Sequence, residues 1–331
     1  MTNNTASRTL VGAATLAPSS HNTQPWRFRV TAAAVDLFAD RTRALPVNDP
    51  DDRELTISCG AAVLNLRVAA AHCDLRCDVQ IVSSAEEPDW LAHVALGAGP
   101  AVDTAEAALY ESLTERRTYR KKFADAPVPA DVIDRLREAA GAEGARLTPI
   151  LADADRQAVA ALVSEGDAVQ WANPSWRREL AAWMHPRRRG DGLVMPGLVV
   201  PVAQLVVRTF DMGGGVGAKD RALAEGSPLL ALVETTRDTP SDWLSAGQAL
   251  QRVLLTACSF GLQASYLNQP IQVPPLRPRL RDLVRAEGMP QILLRLGYPD
   301  QAIPPAPRRP LDDVVDKAEP AIARVVARRT P

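Results

Sequence analysis

SCGAAVLNLRVAAAHCDL, residues 58–75, and SAGQALQRVLLTACSFGL, residues 245–262, are the two stretches on which the fold turns. Each is Ala-rich and apolar on nearly all sides, the pattern of a helix buried all round. They align without a gap. Ser58, Gly60, Ala62, Val63, Ala70 and Leu75 fall on Ser245, Gly247, Ala249, Leu250, Ala257 and Leu262. Each is followed by a strand-like run ending in Leu-Gly, at Leu96–Gly97 and Leu296–Gly297. Small residues on such a helix let another helix approach closely. Two readings stand here. One is a chance likeness of small apolar residues. The other is an internal duplication, with two related halves packed through these helices. A fused pair would bury in one chain what a homodimer buries between two.

Outward from the first helix, Thr9–Leu16 is a short apolar stretch ended by Pro18. Arg27–Val30 and Val35–Phe38 read as strands joined by a turn, and Cys77–Val82 and His93–Leu96 as two more. The second half opens with a helix around Ala105–Glu115. An amphipathic helix follows over Pro129–Ala140, with Val132, Ile133 and Leu136 on one face and Gly141 just after. Leu147–Leu151 is strand-like and Ala154–Gln170 helical. Leu229–Glu234 is a continuous apolar run suited to a central strand, and Ile292–Leu296 is another. Residues 185–226 hold RRRGDG, several prolines and GGGVG, with little helical periodicity. They read as a long surface excursion, a lid, to be nicked early by trypsin between Arg187 and Lys219. The expected fold class is α+β: two related halves, 1–103 and 104–331, with central mixed sheets flanked by helices.

The 331 residues include 38 Lys plus Arg against 39 Asp plus Glu, a formal charge of −1. That balance argues against a nucleic-acid groove or a polybasic membrane surface. With 46% hydrophobic and 23% charged residues the chain can build a core, so whole-chain disorder is excluded. No run of about 18 consecutive apolar residues occurs, so no membrane span is expected. The opening MTNNTASRTLVGAATLAPSS lacks a cationic segment and a long apolar one, and the expected location is the cytoplasm. Four cysteines are too few for a disulfide scaffold in a chain of this length. Cys73 and Cys77 would share a helix face, but no clustered His or further Cys supports them, and no metal is expected.

Three segments carry chemistry. APSSHNTQPWRF, residues 17–28, sets short donors and acceptors at Ser19, Ser20, Asn22 and Thr23 in a turn after Pro18. Pro25 and Trp26 then form a rigid corner. This suits either a polar turn with a core tryptophan or a loop that presents hydrogen bonds to a flat heteroaromatic ligand. RRTYRKKF, residues 116–123, is either a solvated basic run or an anion clamp, since Arg pairs bidentately with phosphate. In APRRPLDDV, residues 306–314, prolines hold Arg308 and Arg309 in an extended frame. GGGVG, residues 213–217, lacks the Gly-Lys-Ser/Thr ending of a phosphate loop. His21 beside Ser20 does not make a triad, and no side chain is assigned a catalytic role.

Together these segments resemble the nitroreductase superfamily of FMN-dependent oxidoreductases, and within it the Acg-like NAD(P)H nitroreductases. APSSHNTQPWRF resembles the loop that lies against the flavin ring. RRTYRKKF looks like the family's Arg-Arg-Ser-x-Arg element, with Thr118 in the serine's place. GLQASYLNQP, LRLGYPD and PRRPLDDV look like its closing helix, loop, strand and tail. The resemblance implies that Arg116, Arg117 and Thr118, with Arg308 and Arg309, hold the FMN phosphate and ribityl chain. Arg120 would approach the N1/O2 edge of the ring. Pro18, Ser19, Ser20, Asn22, Gln24, Pro25, Trp26, Arg27 and Phe28 would line the ring. Asn268, Gln269, Pro270 and Ile271 would lie near N5. Pro270 has no N–H, so one of its neighbours would donate there. Alanine at Arg117 or Arg309 would then weaken FMN retention by about 1.5–3 kcal/mol.

Single-domain members carry the Arg element before the Ser-Ser loop and act as homodimers with flavin at the interface. Here the order is reversed and neither motif has a second copy. The resemblance therefore implies one FMN site in a pseudo-dimer, sufficient as a monomer and free to dimerise further. The implied activity is ping-pong hydride transfer from NADH or NADPH to a nitroaromatic or quinone-like small molecule. The alternative is an FMN storage protein whose lid excludes hydride donors.

Overall fold

Helices α2 (Arg53–His72) and α10 (Pro240–Ser259) lie against each other at the centre of the molecule. The computed structural model describes residues 3–82, 84–98, 104–185, 190–194 and 200–316, and the other elements are built around this pair. Gly60 and Gly247 sit at the crossing. A Cβ on Gly60 would run into the carbonyl oxygen of Leu244 and lie 3.0 Å from Cα of Gly247. A Cβ on Gly247 would run into the carbonyl oxygen of Ile57 and lie 2.8 Å from Cα of Gly60. The contact is reciprocal in the register of the sequence alignment, Gly60 with Gly247 and Ile57 with Leu244. Without side chains at both positions the two backbones touch. Taken alone, α2 is long and apolar enough to cross a membrane, but 89% of that span is buried inside the protein.

The first half runs α1 (Asn3–Ala14), β1 (Trp26–Val30), β2 (Ala34–Ala39), α2, β3 (Leu75–Ile81) and β4 (Trp90–Ala98). Its sheet has the order β1-β2-β4-β3. Two short helices follow, α3 (Thr104–Ala107) and α4 (Tyr110–Glu115). The second half opens with α5 (Ala130–Gly141) and β5 (Arg146–Ile150). An insertion then carries α6 (Asp153–Ala172), α7 (Pro174–Ala182), β6 (Met184–His185), β7 (Leu193–Val194), α8 (Val200–Thr209) and α9 (Gly213–Glu225). The half closes with β8 (Leu229–Thr235), α10, β9 (Gln263–Tyr266), α11 (Gln269–Gln272), α12 (Leu276–Leu283) and β10 (Met289–Gly297). Its sheet has the order β5-β8-β10-β9. Its strand order matches that of the first half, with β5, β8, β10 and β9 in the places of β1, β2, β4 and β3; the insertion and the helices α11 and α12 have no counterpart there.

The expected mixed sheets need correcting. Every ladder in both four-stranded sheets is antiparallel. The cause is connectivity: β4 enters between β2 and β3 and runs opposite to both, and β10 does the same between β8 and β9. Among the described residues, parallel pairing is confined to single bridges at the outer edges, Phe28 with Val315 and Thr118 with Ala264, and to the two-stranded β6-β7 pair. The Phe28 bridge shows that the chain after β10 crosses back onto the first half.

The excursion at 185–226 also differs from its reading. Where described it is largely helical, as α8 and α9; residues 186–189, with Arg187, and 195–199 lie outside the described residues. The glycines of 213–217 open α9 and let it close on α6. A Cβ at Gly213 would be 3.0 Å from Cβ of Trp171, and one at Gly217 would be 2.9 Å from Oγ of Ser164.

One cluster of buried charge at the centre is fully paired. Arg67 of α2 and Arg252 of α10 each reach both Glu106 and Glu143, at 2.6–3.1 Å. This closed ring joins the halves with no buried charge left alone. Near the start of α10, burial opposes the charge of Asp238. Hydrogen bonds from Arg277, Gln291 and Trp243 outweigh it and bring the pKa down to about 2. A depressed carboxylate stabilises the fold above its unfolded pKa, and that stability is lost as pH falls toward the folded value. Asp238→Asn is therefore expected to cost about 2 kcal/mol at pH 7 and almost nothing near pH 2. Urea denaturation at both pH values checks this, and equal losses at the two would refute it.

Candidate functional site

The loop between α1 and β1 is strained. His21, Asn22 and Gln24 have φ of 49°, 56° and 51°, the left-handed region that residues with a Cβ avoid at a cost of about 1 kcal/mol or more each. Side chains hold it there. Ser19 Oγ accepts from the Gln24 amide at 2.9 Å, and Ser20 Oγ donates to Glu54 Oε2 at 2.6 Å. Asn22 Nδ2 donates to the Pro307 carbonyl at 3.2 Å, and Gln24 Nε2 to the Gly190 carbonyl at 2.8 Å. The crossing tail and the part of the insertion between β6 and β7 are thus both fastened to this loop.

Four arginines gather beside it. Arg116 and Arg308 both donate to the Leu16 carbonyl, at 3.2 and 2.9 Å, although they lie far apart in sequence. Arg308 also donates to Asn22 Oδ1 at 3.2 Å. Burial first, then the charges of Arg116 and Arg117, push the Arg308 pKa down to about 9. Burial likewise lowers Arg116 and Arg120, with Tyr266 opposing in both cases. The Tyr266 hydroxyl is raised by burial, against the pull of Arg116, Arg120 and Arg308. Among the described residues, none of these four arginines forms a salt bridge. The Nε atoms of Arg116, Arg117 and Arg308 and the Tyr266 hydroxyl are buried without a hydrogen-bond partner. Tyr266, His21 and Arg308 keep partial contact with solvent and Arg120 more. Protein nevertheless encloses them closely enough to shift their titration, as in the walls of a cleft. Like charges held together with unused donors and no carboxylate match a phosphate ester, which supplies both charge and acceptor oxygens. The donor set fits FMN at its phosphate end.

A buried carboxylate ties the other wall. Glu54 of α2, 2% exposed, accepts from Ser20, from Asn268 Nδ2 at 3.3 Å and from Gln272 Nε2 at 2.9 and 3.1 Å. It links the first-half loop to the segment after β9. His21 faces Glu54 and Arg120, and burial brings its pKa down to about 4, so the ring is neutral at pH 7.

The residues named from the sequence divide accordingly. Ser20, Asn22, Arg116, Arg117, Arg120 and Arg308 come together. Pro18 is buried at the loop's entrance, and Ser19 braces the loop from within. Thr118 pairs through its backbone with Ala264 at the edge of β9. Arg309 turns elsewhere: it donates to the carbonyls of Gln24 and Asp313 at 2.9 and 2.8 Å, and Asp40 lies 3.6 Å away. Trp26 and Phe28 are buried in the first-half core beneath α2, and Arg27 reaches out to Asp316 at 3.1 Å. Pro25 accepts a hydrogen bond from Cys59 at 3.3 Å. Asn268 and Gln269 lie on the second wall. Pro270 and Ile271 are buried beside them, with Ile271 in the core around α6 and α12. Sequence reasoning did not single out Glu54, Tyr266 or Gln272. The signal for Glu54 was a carboxylate in the first turn of a largely apolar helix, which burial permits only with partners.

No protein-family model matches the chain. Over 328 residues it is 35% identical to the Mycobacterium tuberculosis protein named "Putative NAD(P)H nitroreductase Rv3131", which covers 94% of this chain and 91% of that one. The protein of the same organism named "Putative NAD(P)H nitroreductase acg" is 29% identical over 304 residues, covering 90% and 91%. Among solved structures, the FMN-dependent nitroreductase NfnB from Mycobacterium smegmatis, in complex with NADPH, aligns with 66% of this chain and 100% of its own. The identity is 17% and the TM-score 0.43. The chain belongs to the NAD(P)H nitroreductase family.

Proposed function

We propose that the protein is an FMN-dependent oxidoreductase that takes electrons from NADH or NADPH and passes them, in ping-pong order, to a nitroaromatic or quinone-like small molecule. The convergence of Arg116, Arg120 and Arg308 on Tyr266, with Arg117 beside Arg116 and Arg308 and donors to spare, carries this reading. Bound FMN supplies the hydride chemistry, and the protein supplies orientation and charge. Arg116, Arg117 and Arg308 hold the phosphate and ribityl end, with Thr118 beside them. Arg120 faces the pyrimidine edge, where a cation favours negative charge. Ser20 and Asn22 set the polar edge of the ring; Gln24, fully buried with its side-chain amide spent on the Gly190 carbonyl and the Arg309 N–H, braces their strained loop from behind. On the second wall the Ile271 amide is already engaged by the Asn268 carbonyl at 2.8 Å. A donor toward the ring therefore comes from the N-terminal side of Pro270.

We read the two halves as fused counterparts of a dimer that keeps one site. The matching sheet orders and the reciprocal Gly60–Gly247 contact support the fusion. The single site follows from the connections: residues 15–25 join α1 to β1, whereas only 142–145 join α5 to β5. The second position has no room for a Ser-Ser loop.

The test is the visible spectrum of the purified protein, followed by NADH or NADPH without oxygen. A yellow protein that bleaches rapidly is expected. A colourless protein that cannot be loaded with FMN overturns the reading. Yellow that resists both donors and yields to dithionite replaces it with FMN storage.

A further inference from the structure

Reduction of a quinone-like acceptor by NAD(P)H needs one more proton than the hydride brings: acceptor + NAD(P)H + H⁺ gives reduced acceptor + NAD(P)⁺. Beside the second wall, two carboxylates from different helices meet on one nitrogen. Gln269 Nε2 donates to Asp167 Oδ1 of α6 at 3.2 Å and to Asp220 Oδ2 of α9 at 3.0 Å. Asp167 is 3% exposed, its Oδ2 is buried without a partner, and so is Oε1 of Gln269. Arg295 of β10, 1% exposed, acts on Asp220 by its charge. It spends Nη2 on the carbonyls of Tyr119 and Lys121, and its Nη1 is buried and unpartnered. Among the described residues neither aspartate forms a salt bridge.

Two carboxylates on one amide nitrogen, largely out of water, repel each other too strongly for both to ionise freely. The charged groups around them are Lys219 on α9 and Arg295 on β10, with Arg120 acting in turn on Arg295. Burial first, then Asp220, pushes the Asp167 pKa up to about 7. Burial raises Asp220 too, while Lys219, Gln269 and Arg295 pull it down. Asp220 is partly exposed, so the pair has one dry member and one in contact with solvent.

We propose that Asp167 and Asp220 hold a single shared proton, positioned by Gln269, and that the oxygen of the acceptor takes up this proton as it is reduced. The inference rests on the oxidoreductase reading above. The carboxyl O–H bond breaks as the acceptor's O–H bond forms, and its electron pair stays on the carboxylate. Asp220 then recovers a proton from bulk water.

Infrared spectroscopy of the protein labelled with ¹³C-aspartate, without added substrate, follows the carboxyl band against pH. One carboxyl that titrates near pH 7 is expected in the unaltered protein. In Asp167→Asn that titration should disappear, and in Asp220→Asn it should move down in pH, because Asp167 loses its like-charged neighbour while it stays buried. Steady-state kinetics with a quinone should then show kcat falling above about pH 7 in the unaltered protein. Either variant should lower kcat about 10²-fold and flatten that limb, with the Kd for FMN unchanged. The absence of a carboxyl titrating near pH 7 would overturn the shared proton. Variants that lose the titration yet keep kcat and its pH profile would overturn the proton-donor role. Failure of the oxidoreductase reading looks different: the protein would not bind FMN, while the carboxyl titration would persist.

Discussion

Alanine at both Arg116 and Arg308 is expected to weaken FMN retention by about 3–5 kcal/mol, roughly 10²- to 10³-fold or more. Each charge-assisted hydrogen bond to a phosphate is worth about 1.5–3 kcal/mol. The two guanidiniums share the Leu16 carbonyl and repel each other, so losing one eases the other, and the sum of single effects is an upper bound. The discriminating measurement compares FMN with riboflavin, which lacks the phosphate. The unaltered protein should prefer FMN strongly, and the double variant should bind the two nearly alike. Arg309→Ala is the contrast. Its side chain is spent on backbone carbonyls, so its loss should loosen the tail and weaken both ligands together. A double variant that keeps the full preference for FMN would show that these cations do not meet the phosphate.

Valine at Gly247 is expected to cost at least about 3 kcal/mol of stability, at the upper end for overpacking, because what it meets is backbone. A side chain can rotate away from a new methyl group, but the Ile57 carbonyl and the Gly60 Cα cannot move without separating α2 from α10. Gly60→Val should behave the same way against Leu244. The control is Gly215→Ala on α9, where a Cβ would have nothing within 4 Å and helix propensity favours alanine. Urea midpoints decide the matter: Gly247→Val far below the unaltered protein, Gly215→Ala level with it or above. A Gly247→Val protein with an unchanged midpoint would mean that the helices do not cross here.

The paired buried helices, the strands beside them and the basic segments were legible because each rests on a local pattern. Apolar coverage on all sides marked α2 and α10, and the dense arginines marked the anion end. What could not be read depends on direction. In extended chain, successive side chains point to opposite faces. Of the adjacent pair Arg308 and Arg309, only one can enter the cleft, and nothing in the letters says which. The same alternation sends Trp26 and Phe28 into the core and Arg27 outward. The glycines of 213–217 misled for another reason. Glycine opens a loop or admits a neighbouring helix, and the partner here, α6, lies more than forty residues earlier. Glu54, Asp167 and Asp220 were hidden because isolated acids are ordinary on any surface. Only the folded chain brings Gln269 between the last two.

The return of the tail onto β1 sets a timetable for biosynthesis. A ribosome that has made everything through β10 has supplied both halves and three of the four gathered cations, yet Arg308 is still to come. If these cations hold the cofactor as proposed, a nascent polypeptide meets it with a clamp open on one side, and tight capture waits until translation has passed that residue and the tail has docked on β1.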